Sequence, residues 1–215
     1  MNLIETHGRI LRMGLNVFRT ADVVAYLRIP TSTASRLLAR LASAGHLLNL
    51  RHGLWAIPGK LDPLALPGIL TSPFPSYVSL QSALYHHGII SQIPNVIYAV
   101  SVGRARVLRT PLGTVSIHHL QPEFFFGFET METTGVAMAT PEKALLDFLY
   151  LSPAKSKLFR ALPELELPPK FDVGSARQII QRISSAKRRM LVTHAFEKLI
   201  PEARENRSQG MRDEG

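Results

Sequence analysis

The sequence has no cysteine. That removes disulfides, thiolate nucleophiles and cysteine-type zinc sites together, and a reducing, cytoplasmic setting is the expectation. No apolar run approaches the ~18 residues of a membrane helix. The opening MNLIETHGRIL has no basic stretch followed by an apolar one, so neither a secretory signal nor a membrane partner is expected. The signatures G-x-S-x-G, G-x-x-x-x-G-K, G-x-G-x-x-G, H-E-x-x-H and H-x-E are all missing. The reading is therefore of a non-enzyme with no cofactor and no metal. No repeat with a period of roughly 20–50 residues is visible.

What remains is a basic chain of 215 residues with 46% hydrophobic residues, enough for a packed core in one large domain or two small ones. Its net charge of +9 is uneven. Residues 1–60 carry 8 Lys/Arg against 2 Asp/Glu, residues 61–150 carry 4 against 6, and residues 151–215 carry 13 against 8. A basic N-terminal segment of domain size is the electrostatic footprint of a nucleic-acid binder.

That first segment reads helix, helix, helix, hairpin. Leu3, Ile4, Ile10 and Leu11 give a helical period that ends near Gly14. Thr20 is placed as the N-cap of ADVVAYLRI, with Asp22 in the first turn, and Pro30 stops that helix. Thr31 or Ser32 is placed as the next cap. Ala34, Leu37, Leu38 and Leu41 then form one apolar stripe, while Ser32, Thr33, Arg36, Arg40 and Ser43 fall on the other side, and Gly45 closes the helix. HLLNLRHGLWAIP reads as two short strands around Arg51, His52 and Gly53.

Small hydroxyl residues at a helix start allow close approach to DNA, and the helix N-terminus suits phosphate. Arginines one turn apart on the open face suit guanine edges or phosphates. The segment resembles a winged helix-turn-helix. Its expected DNA contacts are Thr20, Thr31, Ser32, Thr33, Ser35, Arg36 and Arg40, with Arg51 and His52 on the wing. The bland alternative is an amphipathic surface helix with incidental arginines.

Residues 60–75, KLDPLALPGILTSPFP, read as a linker or strap that packs through its leucines. A second unit starts at Ser76. SYVSLQSALYHHGII reads as a helix ending at Gly88, with Val78, Ala83 and Leu84 buried. NVIYAVSVG, ARVLRT and GTVSIHHL read as strands of a small antiparallel or mixed sheet, and PEFFFGFETMETTGVAMAT as further strand. Thr140, Pro141 and Glu142 form a cap, an N1 proline and a first-turn acid, and open a helix that stops near Pro153. VGSARQIIQRISSA and KRRMLVTHAFEKLI read as two more helices. The polar stretch from residue 201 to 215 reads as frayed or disordered.

YVSLQSALYHHGI, the β-rich stretch after it, and ATPEKALLDFLYL resemble the AbiEi antitoxin family. The resemblance runs from the first helix to about Ile200. It implies an α+β chain: a winged helix-turn-helix at residues 1–59, a strap at 60–75, an AbiEi-like mixed α/β antitoxin domain at 76–200, and a C-terminal helical tail. It also implies a bacterial transcriptional repressor of its own toxin–antitoxin operon. The implied partners are operator DNA carrying an inverted repeat, bound by two protomers, and a nucleotidyltransferase-like toxin, often without a stable complex.

Other residues are weighed on chemistry alone. His86, His87, His118 and His119 form two adjacent pairs; neighbours point apart, so each pair offers one ligand at most and a surface or cap role is preferred. Lys143 and Asp147 stand at i, i+4 and read by default as a helix-surface ion pair, with Asp147 partly buried among leucines. EFFFGF reads as a buried strand in preference to an exposed aromatic patch. Lys187, Arg188 and Arg189 read equally as a phosphate grip or a solvated face. With Arg104, Arg106 and Arg109 they form a possible second basic surface. Two other functions stay open: a winged-helix regulator whose C-terminal domain senses a ligand or binds an unrelated protein, and an enzyme using the winged helix as an interaction module.

Overall fold

The computed structural model describes residues 3–152 and 164–213, with side chains as far as residue 201. The chain is α+β and divides into two units. The first comprises Met1–Pro63 with Leu108–Thr114, the second Leu64–Val107 with Val115–Gly215.

The first unit holds α1 (Leu3–Leu11), β1 (Val17–Arg19), α2 (Thr20–Leu27), α3 (Thr31–Ser43), β2 (Leu48–Arg51) and β3 (Leu54–Ala56). Its three strands run in the order β1-β3-β2, both pairs antiparallel, with Phe18 opposite Trp55. The hairpin is as expected; β1 is not, because three residues are too few to show a period. Ile10, Phe18, Val23, Leu27, Ala34, Leu38, Leu41, Leu47 and Trp55 form one core. α1 differs from its reading: Ile4 and Leu11 are exposed, and the inward side is Leu3, Thr6 and Ile10.

The ends of α2 and α3 also differ. Arg19, not Thr20, is the N-cap of α2, and the Asp22 carboxylate accepts the Arg19 N–H at 2.6 Å. Pro30 is the N-cap of α3, with no side-chain cap from Thr31 or Ser32. Pro30 is extended and leaves only its carbonyl to take the Ala34 amide. Gly45 follows the C-cap with φ +77°, and the His46 amide reaches back to the Leu41 carbonyl, as a left-handed C-terminal glycine permits.

In the second unit, residues expected to be an irregular strap form a short 3₁₀ turn and α4 (Leu66–Thr71), with Leu66 and Leu70 buried. Then come, in chain order, β4 (Ser76–Val78), α5 (Leu80–His86), β5 (Ile97–Ser101), β6 (Arg106–Thr110) and β7 (Gly113–His119), of which Leu108–Thr114 is counted with the first unit, β8 (Phe128–Thr130), β9 (Ala137–Ala139) and α6 (Pro141–Leu151). α7 (Val173–Gln181) and α8 (Ala186–Asp213) complete the unit. The six strands order β6-β7-β5-β4-β9-β8, with β4–β9 and β5–β7 parallel and β4–β5 and β8–β9 antiparallel.

SYVSLQSALYH is therefore strand then helix, and not one helix. Leu80, with φ 54°, breaks the two apart, a backbone event that side-chain periodicity does not register. α8 keeps helical backbone through Pro201 to Asp213, where fraying was expected. Pro153, the expected stop of α6, lies outside the described residues; the helix ends at Leu151 with Ser152 as C-cap. One core joins Val78, Leu84, Val100, Met138, Leu146, Phe148, Ile180, Val192 and Phe196, so strands and helices share it. Among the described residues no helix is long and apolar enough to cross a membrane.

Candidate nucleic-acid interface

α3 is split as its sequence dictates. Ala34, Leu37, Leu38 and Leu41 are all buried, and burying this stripe anchors the helix. Thr31, Ser32, Ser35, Arg36 and Arg40 are exposed, and Thr33 is half-buried. Neither Arg36 nor Arg40 has a hydrogen-bond or ion-pair partner among the described residues, and no acid lies in the helix. With no side-chain cap, the first-turn amides of Thr31, Ser32 and Thr33 stay open to an acceptor.

Beside this helix end lies a cleft of about 390 Å³ lined by Arg19, Thr20, Ala21, Val24, Thr31, Arg51, His52, Gly53 and Leu54. It brings together Thr20, Thr31, and the adjacent Arg51 and His52 from three separate places in the sequence. Arg19 completes the lining and was missed by sequence reasoning; its position directly before a helix, opposite a hairpin tip, is visible only once β1 pairs with β3. Gly53 takes φ +70° at that tip, and its carbonyl accepts the Thr20 amide at 3.0 Å.

Thr20 is not a free hydroxyl. Its Oγ1 accepts the Trp55 indole N–H at 2.9 Å. Thr20→Val should therefore leave a buried indole donor unpaired and lower stability by about 1–3 kcal/mol. Trp55 is the only tryptophan, so its fluorescence in a urea titration reads this directly. A stability unchanged within error would mean that the bond contributes nothing.

The second basic surface is only partly available. Arg104 and Arg109 on the β6 side and Lys187 on α8 are exposed. Arg106 Nη2 donates to the Leu70 carbonyl at 2.8 Å. Arg189 Nη1 donates to the Ile183 carbonyl at 2.8 Å, and the Arg188 guanidinium lies 4.6 Å from the Tyr150 ring centroid. Of the three adjacent cations, two thus make contacts within the unit, and Lys187 makes none among the described residues. The basic residues from Lys155 to Arg160 lie outside the described residues.

The largest departure from the sequence reading is at Lys143 and Asp147. They are fully buried, not on a helix surface. Lys143 Nζ donates to Asp147 Oδ1. Tyr77 Oη and Ser79 Oγ both donate to Asp147 Oδ2, at 2.9 and 2.7 Å. Lys143 Nζ also sits 3.9 Å from the Phe124 ring centroid and 5.2 Å from that of Phe126, so aromatic faces take the place of water. Burial works against both charges. It raises Asp147 and lowers Lys143, and the pair's mutual attraction and hydrogen bonds oppose it. Burial, then the neighbouring Asp147 charge, also raises Tyr77.

EFFFGF supplies this cage, and it is no buried strand. Pro122–Phe124 is a 3₁₀ turn with Phe124 buried, Phe125 and Phe126 are half-buried, and β8 starts only at Phe128. Gly127, at φ +72°, lies on the Lys143 stem, where a Cβ would meet Cγ at 3.1 Å.

The histidines are engaged singly. His87 Nε2 pairs with the Ala139 carbonyl at 2.8 Å, His118 Nε2 with Ser116 Oγ at 3.0 Å, and His119 Nδ1 with the Gly103 carbonyl at 3.0 Å. Burial holds His118 below its ordinary range. Among the described residues no group of three histidine or carboxylate side chains converges on a point.

No protein-family model matches this sequence, and no curated protein matches it. Among solved structures, the Rv2827c protein from Mycobacterium tuberculosis aligns at 16% identity over 88% of this chain and 81% of that chain, with a TM-score of 0.48. The antibiotic-resistance factor ANT(2″)-Ia aligns at 10% identity over 68% of this chain and 94% of that chain, with a TM-score of 0.31. Both likenesses are too distant to bring an activity to this chain.

Proposed function

We propose that this protein is a DNA-binding repressor whose first unit is a winged helix-turn-helix. The observation that carries this reading is the division of α3: a fully buried leucine stripe behind, and unpartnered Arg36 and Arg40 with small hydroxyl residues in front. In this reading Thr33, Arg36 and Arg40 meet base edges in the major groove. Ser32 and the open first-turn amides hold a phosphate, and Arg51 and His52 hold the flanking backbone. Two protomers on an inverted repeat would block transcription of the chain's own operon.

The antitoxin role, with a nucleotidyltransferase-like toxin as partner, rests on the resemblance of YVSLQSALYHHGI and ATPEKALLDFLYL to AbiEi antitoxins. A nucleotidyltransferase-like gene beside this one, and rescue of growth when the two are co-expressed, are the expected results for it. Rescue absent in the presence of expressed full-length chain removes the antitoxin part and leaves the repressor.

Repression is tested by fluorescence anisotropy of the full chain on the duplex upstream of its gene, against a scrambled duplex, over a salt series. The upstream duplex should be preferred. Two or three neutralised phosphates per protomer should give a log–log salt slope of roughly −2 to −3 for each protomer bound. Equal affinity for both duplexes would remove the repressor. Absence of binding at low salt would remove the winged-helix reading itself.

A further inference from the structure

Between Asp62 and Glu123 the sequence contains no acidic residue, yet it holds Arg104, Arg106 and Arg109. Two of these arginines line a cleft of about 160 Å³ within the second unit, together with Thr71, Phe74, Ser101 and Gly103. None of the six lining residues is acidic.

The walls of this cleft are fixed by their own hydrogen bonds. Thr71 Oγ1 donates to the Pro67 carbonyl at 2.8 Å, and the Phe74 amide to the Thr71 carbonyl at 3.0 Å. Opposite, Ser101 Oγ donates to the Pro75 carbonyl at 2.7 Å and accepts the Gly103 amide at 3.0 Å. Arg106 is held by the Leu70 carbonyl, which uses one of its five N–H donors and leaves the others for a ligand. Arg104 is exposed and has no partner among the described residues.

Phe74 is the unusual member. This large apolar ring is 53% exposed. It lies against Gly103, where a Cβ would come within 3.1 Å of Phe74 Cγ, so the glycine is what lets the ring seat there. An aromatic ring supported by backbone and left open to solvent, beside two guanidiniums, matches the two chemistries of a nucleotide. Guanidinium forks pair with phosphate oxygens in bidentate fashion. Bases stack on aromatic faces whatever their sequence.

We propose that this cleft binds one nucleotide unit, with its phosphate on Arg104 and Arg106 and its base on Phe74. The volume lies below the ~300 Å³ of ordinary ligand pockets, so it takes part of one nucleotide and no larger cofactor. The base must be unpaired, since a duplex hides its faces in the stack. The ligand is thus a free mononucleotide or one residue of a single strand, and the site is independent of duplex binding through α3.

The test is an NMR titration of the ¹⁵N-labelled full chain with 5′-AMP, adenosine, inorganic phosphate and single-stranded hexadeoxyadenylate, in parallel with Phe74→Ala and Arg104→Ala. Both substitutions fall on exposed side chains, and the spectrum itself reports that the fold is kept. 5′-AMP should shift the Gly103 and Arg104 amides saturably. Adenosine and phosphate alone should each bind about tenfold more weakly, or worse, and each substitution should weaken 5′-AMP by about the same factor. Tighter binding of the hexanucleotide than of 5′-AMP assigns the site to single strands, and the reverse assigns it to free nucleotide. Phosphate binding as tightly as 5′-AMP, no effect of Phe74→Ala, or no saturable shift at Gly103 and Arg104 would each overturn the proposal.

Discussion

Asp147→Ala is expected to destabilise the second unit by about 3–5 kcal/mol, the range for breaking a buried ion pair by removing one partner. The loss is large because three donors lose their acceptor together: Lys143 Nζ, Tyr77 Oη and Ser79 Oγ all point at one carboxylate. An ammonium ion then remains buried with only aromatic faces around it. A domain of ordinary stability, roughly 5–15 kcal/mol, would lose a large share of it. Lys143→Ala should behave comparably, leaving the carboxylate buried.

The pair Lys143→Met with Asp147→Leu should cost less than either single change, because a buried ion pair gains little over well-packed apolar groups once its desolvation is counted. Urea unfolding followed by far-UV circular dichroism measures all three variants, while Trp55 fluorescence reports the first unit separately. A single-variant loss below about 1 kcal/mol would mean that the charges find other partners or water. Trp55 moving together with the circular dichroism would mean that the two units unfold as one.

The second large effect is expected on DNA if the first unit binds it as proposed. Arg36→Ala with Arg40→Ala should lower operator affinity by roughly thirtyfold or more, from about 1–3 kcal/mol per lost base contact. Stability should hardly change, since both side chains are exposed and unpartnered and surface substitutions of this kind stay within about ±0.5 kcal/mol. The pattern across sequences distinguishes the roles. If each arginine reads a base, its loss relaxes preference at one operator position. If each holds a phosphate, affinity falls equally on every duplex and the salt slope flattens by about one per residue. Operator affinity left intact would show that α3 is not the reading helix.

Much of this fold is visible in one dimension. The stripe Ala34, Leu37, Leu38 and Leu41 is a local pattern with helical period, and each of these residues is buried. Thr140 and Pro141 start α6 because capping is chemistry among adjacent residues: Thr140 Oγ1 accepts the Lys143 amide at 3.3 Å. Gly45 ends α3 for an equally local reason. The strands NVIYAVSVG, ARVLRT and GTVSIHHL are long enough to carry β-rich composition between turn signals, and they form β5, β6 and β7.

The misses share a cause as well. β1 and β4 have three residues each, too few for a period, and exist because a neighbouring strand supplies their hydrogen bonds. Thr20 has the composition of a cap, but Trp55 lies 35 residues away in sequence and claims its hydroxyl. Lys143 and Asp147 have the spacing of a surface pair. What buries them is Tyr77 from β4, Ser79 at the cap of α5 and the aromatic turn around Phe124, which no window on the α6 sequence contains.

By itself, then, the sequence determined some local terms: the buried face of α3, the Thr140–Pro141 start of α6, the Gly45 stop of α3, the longer strands, and the basic character of the N-terminal unit. Each of these depends on residues within a turn or two of one another, or on charge alone. Only the tertiary structure decided which polar groups are withdrawn from solvent and which stay open. Partners for a hydroxyl or a charge come from distant segments, and the cost of burying a charge is met only where those segments meet. That is why the buried stripe of α3 and the exposure of its arginines could be read in advance, while the Lys143–Asp147 centre and the Phe74 cleft could not.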